Sequence, residues 1–234
     1  LFRSERLKVG TDHSKIKTGY VDNATIEKLR SFYEKRNFDN RKVLLLGSGG
    51  SGKTLMLQHL LLESISRFND TGILPVFLEL RFFVQSNSIE GFIAETLNRG
   101  GGNFTKEEVE DLLKDGKLHI LFDGLDEIDP SDIGSFQKKM DNFAATYQKV
   151  MLIVASRDGA ATLGLNGFRP MYVWPFDNDQ SLDLIDKILK QTGNPEDKDG
   201  IIKYIEHGFI KKDGVFASHP MMLTFVARNY RRFN

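Results

Sequence analysis

A chain of 234 residues, 40% hydrophobic and 27% charged, has room for one sizeable core and an appendage. Lys+Arg and Asp+Glu cancel at 32 each, so no global field recruits anionic lipid, and the composition lends nucleic acid no support as a partner. There is no cysteine, and the five histidines show no paired ligand spacing, which excludes disulfides and a structural zinc site; the apolar runs are also far shorter than the roughly 20 residues of a membrane helix.

The chain begins on Leu1 without a signal peptide and stops shortly after Arg231 and Arg232, so the expectation is a cytoplasmic fragment of a longer protein. Residues 1–40 read as a lead-in with one amphipathic helix over 25–36, its Ile26, Leu29 and Phe32 or Tyr33 turned inward. Short apolar runs then recur between helical patterns: Val43–Leu46, Val76–Leu80, Leu118–Phe122, Met151–Ala155 and Met171–Trp174. Apolar strands alternating with helices predict an α/β fold, a three-layer P-loop NTPase sandwich on a mainly parallel five-stranded sheet over residues 41–175. Leu57, Leu60, Leu61, Ile65 and Phe68 have helical spacing and read as a core face, as do Ile133, Phe136, Met140, Phe143 and Tyr147. Thr105 and Glu108 give a capping-box start to a helix that buries Val109, Leu112 and Leu113 and stops at Gly116.

After Trp174 and Pro175 helical periodicity takes over, through Leu182, Ile185, Ile188 and Leu189, then Ile202, Ile205 and Phe209, then Met222 to Tyr230. A small all-helical subdomain is expected over 176–234, interrupted by a loop at Asn194, Pro195 and Gly200.

Gly47-Ser48-Gly49-Gly50-Ser51-Gly52-Lys53-Thr54 satisfies G-x-x-x-x-G-K-[ST] between a predicted strand and a predicted helix. Glycines let the backbone wrap around phosphate, and successive N–H groups with a helix N-terminus offer a positive concavity. Lys53 would reach the β- and γ-phosphates of ATP, or the β-phosphate of ADP, and the Thr54 hydroxyl would ligate Mg2+. Magnesium bound to phosphate takes only one or two carboxylates from protein. Asp123, the first polar residue after an apolar strand, supplies one; Asp126 or Glu127 just beyond could orient or deprotonate the attacking water, and spacing alone does not choose between them. The strand at Met151–Ala155 leads to Ser156-Arg157-Asp158, which places Ser156 and Arg157 beside Asp123 beyond the carboxyl ends of a parallel sheet. Arg157 could stabilise γ-phosphate charge; its plainer role is a surface ion pair with Asp158.

These motifs resemble the NACHT domain, a branch of the STAND class of signal-transducing P-loop ATPases within the wider AAA+-like group. The resemblance covers about residues 40 to 230 and rests on Gly47–Thr54, on Asp123-Gly124-Leu125-Asp126-Glu127, and on Ser156-Arg157. His219-Pro220 looks like the family element whose proline packs on adenine, Tyr20-Val21 resembles the family's lead-in near the base, and His207 reads as a surface histidine rather than a phosphate contact. The resemblance implies an ATP/ADP switch with slow hydrolysis, self-association in the ATP state of the parent protein, and a role in innate immunity or antiphage defence; the compact, cysteine-free chain leans weakly toward a prokaryotic source. A continuously cycling AAA+ motor and a small-molecule kinase are the competing readings; no Asn-Lys-x-Asp pattern points to guanine.

Overall fold

Alternate residues of one strand feed two different cores. In β2 (Lys42–Gly47), Leu44 and Leu46 join one hydrophobic cluster while Val43 and Leu45 join the other, as the two-residue period of a strand buried on both faces requires. The computed structural model describes residues 9–10, 41–83, 88–159, 165–205 and 218–233. The amphipathic pattern at 25–36, Tyr20-Val21 and His207 lie outside those residues.

Strands β1 (Val9–Gly10), β2, β3 (Leu74–Glu79), β4 (Leu118–Asp123), β5 (Met151–Arg157) and β6 (Arg169–Val173) make one sheet in the order β1-β6-β2-β5-β4-β3. Five strands are parallel, and the two-residue β1 adds antiparallel to β6 at the edge. The expected mainly parallel five-stranded sheet is therefore present, with β1 as an addition too short to leave a periodic signal. Because β5 lies between β2 and β4, the loop after β2 and the acid ending β4 face each other across one intervening strand.

Helix α1 (Lys53–Ser66) covers one face, and after the short α2 (Phe68–Thr71) the helices α3 (Ile89–Arg99), α4 (Lys106–Lys114) and α5 (Ile133–Thr146) cover the other, giving three layers. The capping box at Thr105 and Glu108 forms in both directions, and Val109 and Leu113 are buried while Leu112 packs at the margin. All of Phe136, Met140, Phe143 and Tyr147 are buried, with Ile133 packed against them.

Two expectations about helix faces change. Helix α1 buries Leu57, Leu60 and Ser64, at steps of three and four, so Ile65 falls one position off that face and is exposed. The chain breaks at Arg67 before α2, which leaves Phe68 exposed as well. Ser64 takes the core position because its hydroxyl donates to Leu60 O (2.8 Å) and lies 3.1 Å from the Nδ1 of the buried His119 on β4.

A third cluster is built by α6 (Asn178–Thr192), α7 (Lys198–Ile205) and α8 (Pro220–Phe233) around Ile185, Ile188, Leu189, Ile201, Ile205, Leu223, Val226 and Ala227. Asp177 and Gln180 form a reciprocal capping box that starts α6 directly after β6 and its short exit. In α7 the inward residue is Ile201 rather than Ile202, and Leu182 of α6 is exposed. Gly200 lies inside α7 rather than in a loop: a Cβ there would collide with the Tyr230 hydroxyl, so the glycine lets α8 approach closely. Among the described residues no helix is long and apolar enough to cross a membrane.

Candidate functional site at the phosphate loop

Strand β2 ends at Gly47 and α1 begins at Lys53, so residues 48–52 form the loop that the motif predicts. Its turns use Gly50 (φ 78°) and Gly52 (φ 98°), left-handed conformations that a residue with a Cβ adopts only with strain. Gly52 caps α1 without a side-chain hydrogen bond, and the first turn holds no acid, so the positive helix end is left for the loop's own contents. The Ser51 hydroxyl is buried in this loop with no hydrogen-bond partner. A buried orphan donor of this kind fits a cradle for an oxygen-rich ligand.

Lys53 Nζ donates to the carbonyls of Gly47 (2.7 Å) and Ser48 (2.9 Å), folding the side chain back along the loop. Burial draws its pKa down, opposed by the negative charges of Asp126 and Asp123, with Arg157 adding to the lowering. Thr54 Oγ1 donates to Asp123 Oδ2 at 2.7 Å, joining the first turn of α1 to the end of β4. Burial pushes the Asp123 carboxyl up; the Thr54 hydrogen bond and Lys53 pull it down, and Glu79 and Asp126 push it further up. A hydroxyl beside one half-buried carboxylate is the oxygen donor set that phosphate-bound magnesium accepts. Thr54 and Asp123 thus fit the metal.

The acids after Asp123 part company. Gly124 (φ 82°) turns the chain into a 3-10 turn, Leu125–Glu127, anchored by the fully buried Leu125. Asp126 is thereby aimed at β5, where Oδ2 meets Arg157 Nε (2.9 Å) and Oδ1 accepts from the Arg157 backbone N–H (2.9 Å). Glu127 is exposed, with its carboxyl end lying against Gly124. Arg157 therefore pairs with Asp126, and its guanidinium lies 3.9 Å from where a Cβ on Gly49 would sit. Ser156 differs from the sequence expectation: it is fully buried and donates to Arg157 O, so of that pair only Arg157 reaches the crevice.

Pro220 is the first residue of α8, and the helix start rests on the loop: Ser48 Oγ lies 3.4 Å from His219 Nδ1, and a Cβ on Gly50 would be 3.1 Å from Met221. Glu79 is a residue the sequence reading missed. It ends β3 directly opposite Asp123 in the register and is held by Arg81.

No family model matches the chain, and no curated protein sequence matches it. Solved structures do match. A replication initiator DnaA, bound to AMPPCP and single-stranded DNA, has a TM-score of 0.52 at 19% identity over 93% of this chain and 67% of its own. The Walker-type ATPase PABY2304 of Pyrococcus abyssi has a TM-score of 0.52 at 16% identity over 89% of this chain and 67% of its own. The likeness shows the fold, a mainly parallel α/β sheet of the P-loop NTPase kind. An Orc1 protein of Aeropyrum pernix in complex with DNA is more distant, with a TM-score of 0.47 and 15% identity over 89% of this chain. The chain spans 65% of that Orc1 and about two thirds of the other two.

One of these structures overturns an expectation. Nucleic acid was left without support because the charges cancel, yet the DnaA that shares this fold is seen with single-stranded DNA. Net charge averages over the whole surface and says nothing of a local groove, so charge balance gives no ground for setting nucleic acid aside. The NACHT resemblance rests on the motif residues alone.

Proposed function

We propose that this chain is the nucleotide-binding part of a NACHT-type signalling switch that binds ATP and ADP, with residues 41–175 as the nucleotide domain and 176–234 as the first helical subdomain. The observation that supports the reading is the Thr54–Asp123 hydrogen bond, which brings together two oxygen donors of the kind magnesium accepts, beside a loop holding an orphan buried hydroxyl. Thr54 and Asp123 would hold Mg2+, which when bound neutralises charge on the β- and γ-phosphates. Backbone N–H groups of Gly47 to Thr54 and the Lys53 ammonium would hold the phosphates, and Pro220 would lie against adenine.

Asp126 orients Arg157 toward the loop, where the guanidinium can meet γ-phosphate charge. Glu127, exposed and not drawn to Arg157, is then the carboxylate left to accept a proton from water. Slow hydrolysis resetting a conformational state, self-association in the ATP state and a role in innate immune or antiphage defence complete the reading. The AAA+-type fold keeps a cycling motor as the second reading, and single-stranded DNA, seen with the DnaA neighbour, is the nucleic acid to test first.

The deciding experiment is to purify the chain, denature it, and identify released nucleotide by chromatography, with Lys53→Ala as control. Stoichiometric ADP in the wild type and none in the variant is expected. Nucleotide retained equally by Lys53→Ala would overturn the cradle assignment, and rapid steady turnover of added ATP would favour the motor.

A further inference from the structure

We infer that Ser48 and His219 form a latch through which the contents of the phosphate loop set the seating of helix α8; the inference rests on the nucleotide-binding reading of the same loop. Ser48 is engaged through both of its oxygens. Its carbonyl accepts from Lys53 Nζ (2.9 Å) and from the backbone N–H of Ser51 (3.2 Å), so it closes the loop on itself. Its hydroxyl lies 3.4 Å from Nδ1 of His219, the residue immediately before α8. Lys53 and His219 therefore meet on one residue, the first at its carbonyl and the second at its hydroxyl.

The contact sits at the long end of the hydrogen-bond range, where a displacement of a few tenths of an ångström makes or breaks it. A phosphate that takes the Lys53 ammonium removes it from the Ser48 carbonyl. The Ser48 backbone, released from that bond, is free to shift, and a shift of its Cα carries the hydroxyl with it. Two further points hold the start of α8 over the loop. Met221 packs on Gly50, and the Phe176 N–H donates to Ser218 O (2.8 Å) at the exit from β6. The end of α8 that touches the loop is rigidly joined to the rest of the bundle, because Leu223, Val226 and Ala227 are buried against Ile185, Ile188 and Ile201. A shift at His219 is carried to α6 and α7 as a body motion rather than absorbed locally. His219 is thus a positioning residue, acting through Ser48.

The cysteine-free chain makes the test direct. Cysteines replace the exposed Lys138 on α5 and Gln191 on α6, both are spin-labelled, and pulsed EPR reads the distance between them with and without ADP. ADP is expected to shift the distance distribution in the otherwise unsubstituted chain. His219→Ala is expected to lose at least half of that shift, and His219→Gln, which keeps a hydrogen-bonding group, to recover it. Bound ADP is quantified in every sample. A chain that binds ADP but shows no shift, or the same shift in His219→Ala, overturns the latch alone. Failure of the unsubstituted chain to bind ADP overturns the reading of the loop, and the latch falls with it.

Discussion

Replacing His119 by Asn should remove about 2 kcal/mol of the acid sensitivity of this fold. His119 sits in β4, fully buried, and burial pushes its pKa down to about 3. The Ser64 hydroxyl has one proton and gives it to Leu60 O, so at the 3.1 Å contact it accepts from His119, which fixes the proton on Nδ1. The neutral ring is the form the core accepts. In the unfolded chain the same ring has an ordinary pKa of about 6.5, so the unfolded state binds the proton more readily and stability falls as pH drops below about 6.5, levelling off near 3. Integrating between those values, acidification from pH 7.5 to pH 5 costs about 2 kcal/mol, a large share of the roughly 5–15 kcal/mol typical of a domain. Asn keeps an N–H near the Nδ1 position and does not titrate. Urea unfolding followed by the single tryptophan, Trp174, at both pH values measures the difference. The wild type should lose about 2 kcal/mol more than His119→Asn, since the other histidines are common to both chains. Equal losses in the two proteins would refute the assignment of His119 as a neutral, buried ring.

Three further outcomes are expected. Asp123→Ala should raise the magnesium concentration needed for nucleotide retention at least tenfold, read by titrating Mg2+ against a fluorescent ATP analogue; an unchanged requirement would remove Asp123 from the metal site. Glu127→Gln should slow ATP hydrolysis about a hundredfold, within the range for losing a general base, while ATP affinity stays comparable in equilibrium binding; normal turnover would move the role to Asp126. Thr105→Ala should cost about 1 kcal/mol in urea unfolding, because it leaves the Glu108 N–H without its cap, and a loss below about 0.3 kcal/mol would mean the capping box contributes little.

The sheet was legible because buried parallel strands write themselves as unbroken apolar runs, and the five parallel strands lie within two residues of the predicted bounds at each end. Helix faces were legible where apolar residues alone fill the inward positions, as from Phe136 to Tyr147. They were misread where a polar residue holds a core position: Ser64 is inward because His119 answers it from 55 residues away, and no local pattern carries that pairing. The phosphate loop and Asp123 were visible as spacing and strand ends. The partner of Arg157 was not, since Asp126 is nearer in space than its sequence neighbour Asp158 suggests, and only the placement of β5 beside β4 decides it.

Glu79 shows why a strand-end rule applied to the motif strands alone is incomplete. A parallel sheet brings the carboxyl ends of all its strands to one edge, so a charge ending any strand adjacent to β4 enters the field of Asp123 whether or not it belongs to a motif. The register sets Glu79 directly across from Asp123, and its negative charge is among the influences that hold the Asp123 proton more tightly. Arg81, paired with Glu79, offsets part of that charge, while Lys53 offsets more on the opposite side of Asp123. A cation arriving between Thr54 and Asp123 would therefore meet a site whose negative potential comes from three carboxylates, Asp123, Asp126 and Glu79, of which Asp126 is already matched by Arg157. Glu79, like Asp126, has an arginine partner, so its repulsion with Asp123 is reduced rather than removed, and a divalent ion bound beside Asp123 would relieve what remains.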